Sequence, residues 1–369
     1  MESSIYSYSL CIALPLMLFF GFEFLLAKTP EKSVFENYLR SRRMMGMAIL
    51  ILAANYSIHF FCGIRFKDVD AAILINLCTY FLCYWLFSSA LITLLDRFYI
   101  TRRRTFVHIG LWIIFSLLAC IVLMTFPKGP IKTTALFGLS AWLIIYGLVL
   151  ASRILRAYHK AIHIFNDTNS DDIGAYIRWL SVFTYWAIIF GVGCGILTFL
   201  PNRYVYVWIL SSVPFYIYLF HCYQNYLLFY ERVEHAMESE VTPDLETDET
   251  KTEQKSDSPV YHAEIAEKIK EWIANEGYVH PGLTIKELSD TFLTNRTYLS
   301  EFIRTEYGTS FRDWITGLRI EYAKRLLVEN PKLIIADVSE LSGFMSPSHF
   351  IRLFKEAEGC TPNKWRKSK

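Results

Sequence analysis

The chain has 369 residues, of which 53% are hydrophobic and 16% aromatic but only 20% charged, with 37 Lys and Arg against 35 Asp and Glu. Soluble globular domains average about 25% charged residues, so an all-soluble protein is excluded, as are a disordered chain, a collagen-like fibre and a disulfide-stapled secreted scaffold. The apolar excess is local: residues 1–230 carry a net charge of +8, residues 231–262 of −7 and residues 263–369 of +1.

Residues 1–230 hold seven apolar runs, at about 5–27, 44–64, 69–95, 105–126, 134–152, 179–200 and 204–229. A helix of about 20 apolar residues spans the roughly 30 Å of bilayer hydrocarbon. Inside lipid every backbone polar group must be bonded within the segment, so such runs read as helices. The strict alternation of β-barrel strands is absent. The first run has Glu2 and no Lys or Arg before it, and no small-x-small site precedes Lys28, so it reads as a retained helix and not a cleaved leader. The expected fold is all-α: a seven-helix transmembrane bundle followed by a helical C-terminal domain.

Loop cations set the expected orientation. Alternate loops hold Lys28, Lys32, Arg40, Arg42, Arg43; Arg97, Arg102, Arg103, Arg104; and Arg153, Arg156, Lys160, Arg178, a total of 13. The opposite loops hold Arg65, Lys67, Lys128, Lys132 and Arg203, a total of 5. The asymmetry places the N-terminus outside and the C-terminal domain in the cytoplasm, in a multi-pass inner-membrane protein. Tyr204, Tyr206 and Trp208 sit where an outer aromatic belt would.

Polar residues inside lipid are costly unless they face protein or water. Glu23, Asn55, His59, Asn76, His221, Gln224 and Asn225 are of this kind. They either tie helices together by hydrogen bonds or line a pocket, and Glu23, Asn55, His59 and Asn76 are the candidate residues for sensing a small-molecule or peptide ligand. The eight cysteines show no CxxC or zinc spacing. His159 and His163, four apart, suit a metal in spacing but lack a nearby acid partner. No GxSxG, HExxH, Walker A or GxGxxG motif is present. No enzyme activity, cofactor or metal is therefore expected.

Residues 231–262 combine low hydrophobicity with two prolines and 10 acidic residues, and read as a solvated acidic linker or a fraying helix.

Residues 263–369 read as a helical domain. The periodicity predicts a helix over about 263–276, then one opened by a capping box at Thr284 and Glu287 and running through Phe292. Asn295 caps the next, which buries Leu299, Phe302 and Ile303 and ends near Gly308. Ser310 and Asp313 cap a long helix over 311–329 with Phe311, Trp314, Leu318, Tyr322 and Leu326 on one side. A short helix over 335–341 follows, then one that starts at Ser346-Pro347 and ends at Gly359, and a last one from Thr361-Pro362 with Trp365. The pattern repeats at an offset of 51: Asn295 with Ser346, Leu299 with Phe350, Ile303 with Phe354, Gly308 with Gly359, Trp314 with Trp365. Each copy is helix, tight turn, helix. The helix between them, about 28 Å long, is stiff enough to hold two reading helices near the roughly 34 Å repeat of DNA grooves.

Several spaced elements agree in order: I-K-E-L-S-x-x-x-L-x-N-x-T-Y-L-S-x-F-I-R from Ile285 to Arg304, S-F-x-x-W-I-x-x-L-R-I-x-x-A-K-x-L-L from Ser310 to Leu327, V-S-x-x-S-G-F-x-S-P-S-H-F-I-R-L-F-K from Val338 to Lys355, and T-P-x-x-W-R from Thr361 to Arg366. Over residues 264–369 the chain resembles the DNA-binding domain of the AraC/XylS family. That resemblance implies two helix-turn-helix units whose second helices enter successive major grooves, sequence-specific double-stranded DNA as partner, and transcription regulation, frequently as a homodimer. RNA polymerase becomes a further partner if the effect is activation. The positions matching the family's reading helices are Arg296, Thr297, Ser300 and Glu301, with Arg304 nearer phosphate, then Pro347, Ser348, His349, Ile351 and Arg352, with Lys355 nearer phosphate. Arg352 suits bidentate recognition of guanine. Leu293 stands at a turn where the family often has Gly, and Glu301 where a cationic or amide reader is common.

The expected architecture is thus a transmembrane domain over 1–230, the linker over 231–262 and an AraC-like domain over 263–369, acting together as a membrane-embedded transcription regulator controlled by its transmembrane region. The alternative is a transporter or membrane enzyme with a fused autoregulatory DNA-binding domain.

Overall fold

The computed structural model describes residues 2–170, 174–197, 202–241 and 259–369. The described residues are helical throughout and form no named strand. The chain divides into two units, Met1–Lys160 with Ile177–Glu231, and Ala161–Tyr176 with Arg232–Lys369.

The chain up to residue 241 forms α1 (Glu2–Leu26), α2 (Glu36–Cys62), the short α3 (Ile64–Lys67), α4 (Val69–Thr93), α5 (Arg102–Thr125), α6 (Pro130–Thr168), α7 (Gly174–Leu197) and α8 (Asn202–Val241); residues 161–168 of α6, 174–176 of α7 and 232–241 of α8 belong to the second unit and the rest to the first. Local sequence sets the helix ends. Gly63 takes the left-handed conformation that closes α2, the Asp68 carboxylate accepts from the Ala71 amide to open α4, and the Thr101 hydroxyl caps α5. Aromatic stacking joins α4, α5 and α6: Phe81 lies 4.5 Å from Phe115 and 4.1 Å from Tyr146, between ring centroids. Tyr6, Leu10 and Ala13 of α1 pack with Val205 and Ile209 of α8. Six helices, α1, α2, α4, α5, α6 and α8, are long and apolar enough to cross a membrane, while the apolar stretch of α7 is the shorter Ile177–Gly193. Six spans are thus found among the described residues; the remaining predicted run, 179–200, extends past them.

Two helices outrun their apolar stretches. α6 has 39 residues and α8 has 40, roughly 60 Å each at 1.5 Å per residue. The apolar pattern marks what is hidden from water, whereas backbone hydrogen bonding continues into polar sequence. Hence α8 takes in residues 231–241 of the predicted linker, and the next helix begins at Pro259. Residues 242–258 lie outside the described residues.

The second unit contains α9 (Pro259–Ala274), α10 (Ile285–Phe292), α11 (Arg296–Tyr307), α12 (Phe311–Glu329), α13 (Ile335–Leu341), α14 (Pro347–Glu358) and α15 (Pro362–Lys367). The Thr284–Glu287 capping box is formed in both directions, at 3.2 and 3.0 Å. Two apolar clusters flank α12. Ile265, Ile269, Leu288, Phe292, Leu299, Phe302 and Ile303 meet Phe311, Trp314 and Ile315 at its first half. Val338, Phe344, Phe350, Leu353 and Phe354 meet Ile320, Ala323 and Leu327 at its second half. Both clusters lie within residues 261–365, so the domain has its own cores.

The innermost row of α12 is Phe311, Ile315, Arg319, Ala323 and Leu327, all buried. The predicted row through Leu318, Tyr322 and Leu326 is only partly buried and packs beside it. An arginine on the inner row explains the offset, because hydropathy demotes the very face that the helix buries.

Candidate nucleic-acid interface

Each helix-turn-helix unit pairs a supporting helix with a second helix that exposes its polar side. α10 turns into α11 through Leu293 and Thr294, and α13 turns into α14 through Gly343, Phe344 and Met345. The two turns share one hydrogen-bond pattern. Thr294 N donates to Ser289 O and Phe344 N to Ser339 O, both at 3.0 Å. The supporting helices therefore repeat at an offset of 50 and the second helices at 51. The extra residue, Met345, sits in the second turn.

The turn needs a left-handed residue, φ +57° at Leu293 and +80° at Gly343. Leu293 is 83% exposed, so its side chain gains little to offset that backbone. Leu293→Gly is expected to stabilise the domain by about 0.5–1 kcal/mol, the left-handed penalty less the added chain entropy of glycine. Thermal unfolding of residues 259–369 checks it, and a lower melting temperature contradicts it.

Asn295 and Ser346 cap α11 and α14 through their side chains. In α11, Leu299, Phe302 and Ile303 are buried, while Thr297, Glu301 and Arg304 are exposed and Arg296 and Ser300 half-buried. In α14, Phe350, Leu353 and Phe354 are buried, while Pro347, Ser348, Ile351 and Lys355 are exposed and His349 and Arg352 half-buried. All eleven predicted DNA-facing residues thus lie off the buried faces of their two helices. Arg352 reaches Glu356 one turn on at 3.5 Å. Arg304 reaches Asp167 of the same unit at 3.3 Å, and Asp167 also meets His163 at 2.7 Å.

Basic residues that the sequence reading left aside lie in α15: Lys364, Arg366 and Lys367, with Lys369 over the Trp365 ring. Their signal was the clustering of cations in the last turn of the chain. Lys324 bridges Glu321 of its own helix and Glu358 at the end of α14, at 2.7 and 3.0 Å. Its ammonium is held above the usual lysine range by the hydrogen bonds to Glu321 and then Glu358. Burial likewise pushes the Tyr278 phenol up, against the nearby Arg325.

Residues 288–368 match the family described as a helix-turn-helix domain. The chain ends in an AraC-type helix-turn-helix domain. Similar proteins include the virulence regulon transcriptional activator VirF of Yersinia enterocolitica, 36% identical over 94 residues, which are 26% of this chain and 34% of that protein. The HTH-type transcriptional regulator ExsA of Pseudomonas aeruginosa is 35% identical over 85 residues, 23% of this chain and 30% of that one. The chain spans about a third of the length of these relatives. Among solved structures, the C-terminal domain of AraT, a response regulator from Geobacillus stearothermophilus, is 28% identical, covers 30% of this chain and 87% of its own, and has a TM-score of 0.27.

Of the four candidate sensing residues, three come together in the first unit. Asn55 Nδ2 donates to Asn76 Oδ1 at 3.2 Å, and His59 Nε2 meets the same oxygen at 2.9 Å. Glu23 does not join them. It lies toward the other end of α1, within electrostatic reach of Arg42. Helix spacing within α1 cannot show which neighbour each of its ends meets.

Proposed function

We propose that this chain is a membrane-embedded transcription regulator, with its first unit lodged in the bacterial inner membrane, its N-terminus outside and its AraC-type domain in the cytoplasm. The observation that carries the reading is the combination, in one chain, of six helices of membrane length among the described residues with a domain whose two second helices present polar faces. Large apolar side chains on the outside of those helices, such as Phe61, Phe106, Met124 and Ile131, are exposed, which suits lipid and is costly in water. α11 and α14 read bases in the major groove, and Arg304 and Lys355 neutralise phosphates. The first unit biases DNA binding by favouring one helix arrangement when a signal is bound.

Two measurements test this. Reporter fusions at Lys128 and Arg203 should appear outside and a fusion at Arg103 inside, and the reverse pattern overturns the orientation. Purified protein should bind its operator with affinity that falls steeply with salt. Arg352→Ala is expected to cost about 1–3 kcal/mol and to relax preference at one base position. An equal loss on every sequence would reassign Arg352 to phosphate.

A further inference from the structure

Residues 161–170, the end of α6 and the turn after it, belong to the second unit and lie against the first helix-turn-helix unit. Ser170 N donates to Leu283 O at 3.0 Å, and Asn169 pairs with Thr284 as an isolated antiparallel bridge. Arg312 Nη1 donates to Asn166 Oδ1 at 2.9 Å, and Arg304 Nη2 donates to Asp167 Oδ2 at 3.3 Å. Asn169 and Ser170 are both buried. This short segment thus meets three elements at once: the cap of α10, the last turn of α11 and the first turn of α12. The contacts are polar, of the kind that water or a phosphate replaces at little net cost.

Asp167 stands where a phosphate would go. Arg296, Ser300 and Arg304 follow one another at i, i+4 and i+8 and so share one face of α11. Asp167 closes that row at its C-terminal end. In a helix-turn-helix the supporting helix crosses the DNA backbone while the second helix enters the groove, and Asn169 and Ser170 meet the start of the supporting helix α10. A phosphate brought to Arg304 would stand within a few ångströms of the Asp167 carboxylate, and like charges that close repel. One exposed ion pair is weak by itself, but here the Ser170 and Asn166 hydrogen bonds act with it. α6 is one unbroken helix from Pro130 to Thr168, so the carboxylate that holds Arg304 is carried by a helix of membrane length.

We infer that residues 161–170 are an autoinhibitory clasp on the first helix-turn-helix unit: docked, the segment occupies Arg304 and the cap of α10, and DNA phosphates bind the undocked form. The segment and the phosphate backbone are competing occupants of one surface. A movement of α6 that withdraws Asn166 and Asp167 frees the domain. The inference rests on the proposed DNA-binding reading and deepens it by naming the contact through which binding is controlled.

The test is binding of a fluorescein-labelled duplex of mixed sequence, read by anisotropy over a range of salt concentrations. Mixed-sequence binding reports the phosphate contacts that the clasp would block. The proteins are the detergent-purified full-length chain, its Asn166→Ala and Asn166→Ala/Asp167→Asn variants, and residues 259–369, whose apolar clusters are complete without the segment. Apparent affinity is reduced by the undocked fraction, so the double variant should bind about tenfold tighter than the unaltered chain, the loss of one ion pair and one hydrogen bond from the docked form. Its salt slope should steepen by about one phosphate. Asn166→Ala changes no charge and should by itself tighten binding about threefold, which separates undocking from the removal of a negative charge. A second measurement needs no variant: saturating the unaltered chain with the duplex should speed amide exchange at Ser170, whose bond to Leu283 opens on undocking. Equal affinity of the unaltered chain and either variant, or Ser170 exchange that DNA leaves unchanged or slows, overturns the clasp while DNA binding stands. Failure of residues 259–369 to bind the duplex overturns both, so the two failures are told apart.

Discussion

Arg319→Ala is expected to destabilise the AraC-type domain by about 3–5 kcal/mol. Arg319 is 1% exposed at the midpoint of α12, between the two apolar clusters. Its guanidinium donates to Tyr278 O at 2.8 Å and to His280 O at 2.7 Å, and lies 5.8 Å from the centre of the Phe344 ring. Tyr278 belongs to the cluster under the first helix-turn-helix unit and Phe344 to the cluster under the second, so this one side chain ties both. Truncation leaves the buried Tyr278 carbonyl bare, removes the part-buried bond to His280 O and opens a cavity as long as the side chain. Since domains are stable by only about 5–15 kcal/mol, a large share of the total is lost. Arg319→Met refills the space but leaves the Tyr278 carbonyl bare, and should cost about 2 kcal/mol. Urea unfolding of residues 259–369 measures both. A loss below about 1 kcal/mol for the alanine variant would mean that water replaces the guanidinium freely.

Gly343→Ala should cost about 3 kcal/mol or more. The backbone there has φ +80°, which an L side chain meets at about 1–2 kcal/mol. A Cβ would also stand 2.4 Å from Val279 O and 2.7 Å from Val279 C. Those are backbone atoms, so the clash is relieved only by moving the turn or the 277–279 segment, at a further cost of about 1–3 kcal/mol. Gly359 gives the matching control. Its φ is +74° but a Cβ there meets nothing within 4 Å, so Gly359→Ala should lose only the backbone part, about 1–2 kcal/mol. Equal losses at the two positions would show that the turn yields without resistance. If it does yield, α14 moves with it, and operator affinity falls even where the domain remains folded.

The helices of the AraC-type domain were legible because short elements with strong caps advertise both ends: Thr284, Asn295, Ser310 and Ser346 each cap the predicted helix through a side chain. The membrane-length helices were legible in position but not in extent, since composition changes where solvent changes and the backbone does not. Arg319 was hidden because a charge on a buried row contradicts periodicity; the i, i+4 spacing of Phe311, Ile315, Ala323 and Leu327 around it was the available signal. Asn55, His59 and Asn76 were legible one by one as polar residues in apolar runs. Their meeting was not, because the partner of a helix face is decided by packing between helices.

The extra residue at Met345 bears on how the domain would lie along a duplex. With the supporting helices aligned at an offset of 50, the second helices are numbered one residue out of step, so on the proposed reading equivalent side chains would not address equivalent base pairs. On that reading head and tail of the bound domain would be distinguishable, and its target would have a direction. Reversing the site relative to a promoter would turn the opposite end of the domain toward the start of transcription, so regulation through it should depend on site orientation as well as on sequence.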